Sequence, residues 1–93
     1  MLLDTLPSMH YTARMPTSRS TPNRRLENRV RIARAERGWS QDDLARRSGV
    51  TRQTISSIET GQYVPSALLA FVLAEQLGRP VDDLFYLTTH EGA

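Results

Sequence analysis

Apolar residues recur at helical spacing through most of the chain, in short runs separated by turn residues. Leu26, Val30 and Ala33 have the i, i+4, i+7 spacing of one helix face, and Gly38 follows them as a helix stop. This pattern predicts a first helix over residues 24–37. No segment alternates apolar and polar residues in the way that is typical of a strand, so we expect the domain to be all-α.

Two short helices separated by a tight turn follow the first. Ser40 and Asp43 have the spacing of a capping box, which predicts a second helix over 41–48. Thr51 caps a third helix over 52–60, and a glycine ends each of these two helices. The residues expected on the inner faces are Leu44 and Ala45 in the second helix and Ile55 and Ile58 in the third.

A fourth helix is more apolar than its neighbours. It begins at Pro65-Ser66, and a short fifth helix covers 81–85. Leu68 and Val72 form a second apolar face on the fourth helix, and a helix that is apolar nearly all round is normally covered on both sides. Two interpretations stay open, a shifted packing of the core or a dimer or partner surface at Leu68 and Val72. The inner face of the fourth helix is formed by Leu69, Leu73 and Leu77.

The first 23 residues have a different character from the rest of the chain. They contain three prolines and many Ser and Thr residues, and their few apolar residues follow neither a helical nor a strand period. We expect a flexible N-terminal arm over residues 1–23, one domain over 24–87 and a short tail over 88–93. A chain of 93 residues has too little length for a second independent core.

Composition excludes several classes of function. The chain is 39% hydrophobic and 24% charged, and no run approaches the roughly 18 apolar residues of a membrane helix, so we expect a cytoplasmic protein with no membrane contact. The lack of cysteine excludes disulfides, thiolate catalysis and cysteine-based zinc sites. The two histidines, His10 and His90, lie in opposite tails. We therefore expect no catalytic residues, no metal site and no cofactor.

Positive charge is concentrated near the start of the predicted domain. Residues 24–37 contain six arginines and two glutamates, a net charge of +4, whereas residues 62–93 carry −3. All 12 basic residues are arginine, whose guanidinium makes forked hydrogen bonds to phosphate or to a guanine edge. The alternative explanation is a compositional habit of the source genome. If this segment meets DNA, Arg24, Arg25 and Arg29 are the phosphate-binding candidates.

The second and third helices together are a helix-turn-helix candidate, because two short helices are joined by a turn that contains a glycine. Such a turn allows the second of the two helices to present its N-terminal end to the major groove. With Ile55 and Ile58 inward, the outward residues of this helix have side chains that can pair with base edges. The alternative is simple solvation of a polar helix face. The outward residues are Arg52, Gln53, Ser56 and Ser57, with Thr51 and Thr54 on the flanks.

A longer set of residues carries a family resemblance. The segments are Asn28-Arg29-Val30-Arg31, Arg34-Ala35-Glu36-Arg37-Gly38-Trp39-Ser40-Gln41-Asp42-Asp43-Leu44-Ala45, Gly49-Val50-Thr51-Arg52-Gln53-Thr54-Ile55-Ser56-Ser57-Ile58-Glu59-Thr60-Gly61 and Pro65-Ser66. Together they resemble the lambda-repressor-like, Cro/C1-type helix-turn-helix family, above all its small stand-alone members. The resemblance spans residues 28–85. It implies a five-helix DNA-binding domain of a transcriptional regulator, usually a homodimer on a near-palindromic operator.

The resemblance also implies roles for single residues. Arg34 and Glu59 match a partly buried ion pair between the first and third helices, and Trp39 matches a core position. Gln41 matches a residue that clamps a phosphate at the start of the second helix. The positions that match base-reading residues are Arg52, Gln53 and Ser57, and those that match residues near phosphates are Thr51, Thr54 and Gln62.

Two other classes of function stay open at this point. The first is an antitoxin-like interaction module that binds a toxin and autoregulates its operon, with residues 1–23 or residues 85–90 as the partner-binding segment. The second is an enzyme, which is the least favoured class because Ser56 and Ser57 have no nearby base. We therefore expect a repressor that binds double-stranded DNA, with a protein partner as the alternative.

Overall fold

The structure, a computed structural model, describes residues 24–89, and the predicted N-terminal arm and residues 90–93 lie outside these described residues. Five helices and one two-stranded sheet occur within them, so the fold class is predominantly helical, as predicted. In chain order the elements are β1 (Arg24–Asn28), α1 (Val30–Glu36), α2 (Gln41–Ser48), α3 (Arg52–Glu59), α4 (Ala67–Leu77), α5 (Val81–Leu84) and β2 (Phe85–Thr89).

The expectation of helices alone is wrong at both ends of the described chain. β1 and β2 pair antiparallel, with Leu26 opposite Leu87 and Asn28 opposite Phe85. Residues 24–28, predicted as the first turns of a helix, form a strand because their hydrogen-bonding partner comes from the far end of the domain, which local spacing cannot reveal. For the same reason Phe85 leaves the predicted fifth helix and begins β2.

The start of α1 is fixed by hydrogen bonds to its first backbone groups. The side-chain Oδ1 of Asn28 accepts a hydrogen bond from the backbone N–H of Val30 at 3.1 Å. The N–H of Arg29 donates to the carbonyl of Leu84 at 2.9 Å. Because these donors are satisfied outside a helix, α1 begins at Val30 and not at residue 24.

The bounds of α2 and α3 follow from local signals. Ser40 Oγ accepts from the N–H of Asp43 at 3.0 Å, and the N–H of Ser40 donates to Asp43 Oδ2 at 2.8 Å, so both halves of the capping box are present. Gly49 ends α2 with a φ of +75°, a conformation that favours glycine. Thr51 Oγ1 then accepts from the N–H of Thr54 at 3.1 Å and caps α3.

One apolar core joins all five helices and β2. Its fully buried side chains come from every helix, and Trp39 and Val50 are half-buried against it from the loops on either side of α2. α3 contributes Ile55 and Ile58, so its inner face is fixed on the bundle and its opposite face is free to meet a ligand. The buried residues are Val30, Ala33, Leu44, Ala45, Ile55, Ile58, Leu73, Ala74, Leu77, Leu84 and Phe85.

Candidate nucleic-acid interface

The outer face of α3 carries the four side chains predicted to read bases. Arg52 and Gln53 are exposed in the first turn of the helix, and Ser56 and Ser57 are half-buried one turn later. All four side chains lie on α3, whose inner face is buried in the core through Ile55 and Ile58. The structure therefore brings them together on one helix that is packed against the bundle.

Gln53 and Ser57 are joined on this face. Gln53 Nε2 donates to Ser57 Oγ at 3.2 Å, across one turn of the helix. This bond leaves the carbonyl oxygen and the second N–H of the Gln53 amide unused, and one acceptor and one donor are what a bidentate contact to adenine requires. The arrangement therefore suits base recognition better than two independent polar side chains would.

Two threonines, Thr51 and Thr54, interact at the N-terminal end of α3. Thr51 Oγ1 and Thr54 Oγ1 lie 3.0 Å apart, and the Thr51 hydroxyl also accepts the Thr54 N–H as the helix cap. Thr51 is exposed and Thr54 half-buried. Both predicted phosphate neighbours are thus placed at the positive end of a helix, where anions are favoured.

Gln41, the first residue of α2, lies next to the far end of α3. Its Nε2 donates to Glu59 Oε1 at 3.0 Å. Local sequence spacing does not indicate this contact, because the two residues are 18 positions apart in the chain. The Gln41 side chain is half-buried, so only a fraction of the amide is available to a ligand.

Arg34 and Glu59 form an ion pair between α1 and α3. Arg34 Nε donates to Glu59 Oε2 at 2.7 Å and Arg34 Nη2 donates to Glu59 Oε1 at 3.1 Å. The side chains are only 15% and 3% exposed, respectively. Hydrogen bonding to Glu59, more than its charge, raises the pKa of Arg34 against the opposing effect of burial. The guanidinium is therefore occupied and is not a free DNA contact.

Arg24 and Arg25 lie beside the loop that follows α3. They are exposed, and they line a surface groove of about 400 Å³ together with Thr60, Gly61 and Val64. The exposed Gln62 is in the same loop. β1 thus brings two predicted phosphate-binding arginines to the C-terminal end of α3, a placement that the helical prediction for residues 24–28 could not give.

Arg29 is held differently from the other two arginines. Its Nη1 donates to the carbonyl of Asp83 at 2.9 Å, and its guanidinium carbon lies 4.2 Å from the centre of the Tyr86 ring. Both contacts join the end of β1 to the α5–β2 segment. Arg29 is therefore engaged in structural contacts and is less available to a phosphate than Arg24 or Arg25.

α4 exposes large apolar side chains. Leu68 is 76% exposed and Phe71 is 60% exposed, whereas Val72 is half-buried. We call Leu68, Phe71 and Val72 the α4 surface. The sequence pattern identified Leu68 and Val72 but missed Phe71, although Phe71 follows Leu68 at the i, i+3 spacing of one helix face.

Three further arginines are engaged with nearby groups. Arg46 pairs with Asp43 at 2.7 Å, and Arg79 pairs with both Glu36 and Asp83. Arg47 lies 4.1 Å from the centre of the Trp39 ring. Among residues 24–89 no group of three or more His, Asp or Glu side chains lies close enough to hold a metal ion. No helix in that range is long and apolar enough to cross a bilayer.

Comparison with known proteins gives consistent matches. The helix-turn-helix family model matches residues 30–84. The uncharacterized HTH-type transcriptional regulator YgzD of Bacillus subtilis is 44% identical over 62 residues, which cover 67% of this chain and 94% of YgzD. An uncharacterized HTH-type transcriptional regulator of Methanothermobacter thermautotrophicus is 49% identical over 59 residues, which cover 62% of this chain and 86% of that protein.

Solved structures of regulators are similar to this one. The restriction-modification controller protein C.AhdI of Aeromonas hydrophila has a TM-score of 0.56 and 31% identity, with 58% of this chain and 78% of that chain covered. The clp gene regulator ClgR of Corynebacterium glutamicum has the same TM-score and identity, with 58% of this chain and 57% of that chain covered.

Proposed function

Because this chain belongs to the Cro/C1-type helix-turn-helix family of DNA-binding transcriptional regulators, we propose that it represses transcription by binding a near-palindromic operator. In this proposal α3 is the recognition helix and lies in the major groove. The observation that carries the proposal is the outer face of α3, where four polar side chains able to pair with bases stand on a helix fixed in the core. The relatives are named as regulators, which favours DNA binding over catalysis.

Base recognition is assigned to the outer face of α3. Arg52 is exposed and suits a bidentate contact to guanine, while the unused carbonyl and N–H of Gln53 suit adenine. In this proposal Ser56 and Ser57 contact bases or the sugar edge one turn further along the helix. Each of these contacts would make the affinity depend on the identity of one base pair. A contact to a phosphate would position the protein without such a dependence.

Phosphate contacts are assigned to both ends of α3. Thr51 and Thr54 stand at the N-terminal end of α3, and Gln41 stands at the N-terminal end of α2, next to the last residue of α3. At both helix N-terminal ends, backbone N–H groups and the helix dipole favour anions. Arg24 and Arg25 line a groove with Thr60 and Gly61, just after the C-terminal end of α3. Gln62 follows in the same loop. A duplex whose major groove holds α3 would therefore meet polar and basic side chains on both of its phosphate backbones. Arg29 contributes to the positive field of this region more than to a direct contact.

Homodimerisation is proposed through the α4 surface. Two recognition helices related by a two-fold axis can read half-sites about 34 Å apart, which a single module cannot do. Leu68 and Phe71 are large, apolar and exposed, so their burial against a second copy would remove unfavourable contact with water. The high exposure of Leu68 does not favour the alternative of a shifted core packing for that residue.

The alternative of an antitoxin-like module has one feature against it. Of the segment considered for partner binding, Phe85–Thr89 is hydrogen-bonded to β1 as β2, and Phe85 is buried. A partner that bound this segment as an extended strand would use its free edge or displace β1. The N-terminal arm, the other candidate segment, lies outside the described residues.

Selection of bound duplexes from a random DNA pool tests the proposed function directly. We expect enrichment of an inverted repeat whose half-site centres lie one helical turn apart. Footprinting on the enriched duplex should protect both half-sites on one face. Recovery of unrelated sequences, with no repeat and no site preference, would contradict sequence-specific regulation.

A further inference from the structure

We propose that Glu59 is a positioning residue for phosphate binding, because its carboxylate holds the side-chain amide of Gln41 in the orientation that a DNA phosphate needs. This inference rests on the proposed function, and it adds a second role to a residue otherwise explained by its ion pair with Arg34. The geometry that carries it is a shared oxygen. Glu59 Oε1 accepts from both Arg34 Nη2 at 3.1 Å and Gln41 Nε2 at 3.0 Å.

The chemistry of the carboxylate decides which way the Gln41 amide faces. An ionised carboxylate only accepts hydrogen bonds, so the amide must present its N–H group and not its carbonyl oxygen to Glu59. A phosphate oxygen is also only an acceptor. The second N–H of the same nitrogen can donate to a phosphate while the first donates to Glu59. A flipped Gln41 amide would set its carbonyl oxygen where the nitrogen now lies, and would lose the bond to Glu59.

Glu59 is itself held from the other side. Arg34 donates to both carboxylate oxygens through Nε and Nη2, and Arg34 Nη1 donates to the backbone carbonyl of Trp39 at 2.8 Å. A continuous series of hydrogen bonds thus runs from the α1–α2 loop through Arg34 and Glu59 to Gln41. With Glu59 only 3% exposed, water does not compete for its oxygens. The amide is therefore ordered before DNA binds, so less rotamer entropy is lost on binding.

Arg34 also offsets the negative charge of Glu59 next to the Gln41 amide. A lone carboxylate next to a phosphate-binding amide would repel the phosphate. The Arg34 guanidinium forms two hydrogen bonds with Glu59, so the pair is neutral as a unit and the carboxylate acts on Gln41 as a hydrogen-bond acceptor. The Glu59 side chain therefore links α3, to which it belongs, with α1 through Arg34 and with the side-chain amide of Gln41 at the start of α2.

Gln62 provides an internal comparison. It is also a proposed phosphate neighbour, but its side chain is exposed and makes no hydrogen bond among the described residues. Residues 24–89 thus contain one proposed phosphate-binding glutamine whose side-chain amide is hydrogen-bonded, Gln41, and one whose amide is not, Gln62. Only Gln41 should depend on Glu59.

A double-mutant cycle on the duplex selected from the random pool tests the proposal. We expect Gln41→Ala to weaken binding about tenfold in the natural background, the range for a hydrogen bond to a charged group. In the Glu59→Ala background the same change should weaken binding about twofold or less, because no side-chain acceptor remains to hold the Gln41 amide. Gln62→Ala is the matched control, and it should weaken binding by the same factor in both backgrounds. Equal factors for Gln41→Ala in the two backgrounds would overturn the proposal.

A measurement on the unaltered protein covers the case in which Glu59→Ala does not fold. NMR relaxation of the glutamine side-chain amides in the DNA-free protein should show Gln41 ordered and Gln62 mobile on the ps–ns timescale. A Gln41 amide as mobile as that of Gln62 would overturn the proposal by itself. If the unaltered protein binds no duplex at all, the proposed function fails together with this inference. If it binds and Gln41 behaves additively or is mobile, only the inference fails.

Discussion

Asn28 Nδ2 donates a hydrogen bond to the backbone carbonyl of Ile58 at 3.0 Å, across a separation of 30 residues. The bond ties the end of β1 to the last turn of α3, the proposed recognition helix. The same side chain accepts the N–H of Val30, so one amide both starts α1 and fixes α3 relative to the sheet. The position of α3 therefore depends on a strand as well as on the helix-turn-helix unit.

Removal of Glu59 should be costly to stability. Glu59→Ala leaves the Arg34 guanidinium, which is only 15% exposed, without its partner, so we expect a loss of about 3 to 5 kcal/mol in the free energy of unfolding. Glu36→Ala is the control, since it breaks a more exposed pair with Arg79 and should cost less than about 1 kcal/mol. Urea denaturation measures both. A loss below about 1 kcal/mol for Glu59→Ala would mean that the pair contributes little.

Substitutions on the outer face of α3 should change base preference. If Arg52 or Gln53 makes a bidentate base contact, its replacement by alanine should cost roughly 1 to 3 kcal/mol on the selected duplex and relax preference at one base pair per half-site. Binding to single-base variants of that duplex measures the effect. Thr54→Ala, a change in a proposed phosphate neighbour, should instead weaken selected and unrelated duplexes alike. Unchanged affinity and preference in both Arg52→Ala and Gln53→Ala would favour the interaction-module alternative.

The salt dependence of DNA binding should identify the basic residues that meet phosphates. Residues 40–61 have no net charge, so the slope of log affinity against log salt should be shallow unless basic residues outside them also meet phosphates. Arg24→Ala and Arg25→Ala should each lower this slope by about 1. Arg29→Ala should lower it less and should reduce thermal stability, because this arginine contacts Asp83 and Tyr86. An unchanged slope in the Arg24→Ala, Arg25→Ala double variant would remove β1 from the interface.

The α4 surface should control the oligomeric state of the protein in solution. Changing Leu68 and Val72 together to glutamate, or Phe71 alone, should convert a dimer to a monomer, because charge would be placed in an apolar contact. Ile32→Glu is the control, since Ile32 is 56% exposed but lies on α1. Sedimentation analysis measures the mass. A dimer that persists in both α4 variants would exclude this surface as the interface.

Acid should weaken the cap of α2. The backbone N–H and then the side chain of Ser40 lower the pKa of Asp43 below its ordinary value of 3.8. The unfolded chain therefore takes up the proton at higher pH than the folded domain, and the cap's contribution is complete above that ordinary value and lost as pH falls through the lower folded pKa. Tm measured against pH should fall less steeply in Asp43→Asn than in the natural protein. Asp42→Asn, the same change one residue earlier on an exposed side chain, controls for net charge. Parallel curves for Asp43→Asn and the natural protein would contradict the prediction.

The regions of the fold that the sequence predicts are those whose signals are local. Ser40, Asp43 and Gly49 lie next to the ends that they fix, so the bounds of α2 could be predicted, and Thr51 does the same for the start of α3. β1 could not be predicted in this way. Its apolar spacing fits a helix, and its partner strand and the Asn28–Ile58 bond both come from distant segments of the chain.

The candidate site likewise contains some features that local sequence signals predict and others that arise only from tertiary contacts. The outward residues of α3 follow from its period once Ile55 and Ile58 are inward, and the Arg34–Glu59 pair is implied by the family resemblance. The bond from Gln41 to Glu59 joins two helix ends that meet only in the folded bundle, and no spacing indicates it. The exposure of Phe71 is also a tertiary property, because a helix apolar on several faces does not reveal which face the core takes.

The antiparallel pairing of β1 with β2 also has a mechanical consequence. Arg24 stands opposite Thr89, so the chain enters and leaves residues 24–89 at the same rung of the sheet. Tension between these two points pulls across the ladder, and its rungs separate in sequence from Arg24–Thr89 towards Asn28–Phe85, where the sheet meets the core. Unzipping of this kind yields at lower force than shearing of strands along their length. Under load the sheet would open first, while the helix-turn-helix unit stays closed behind it.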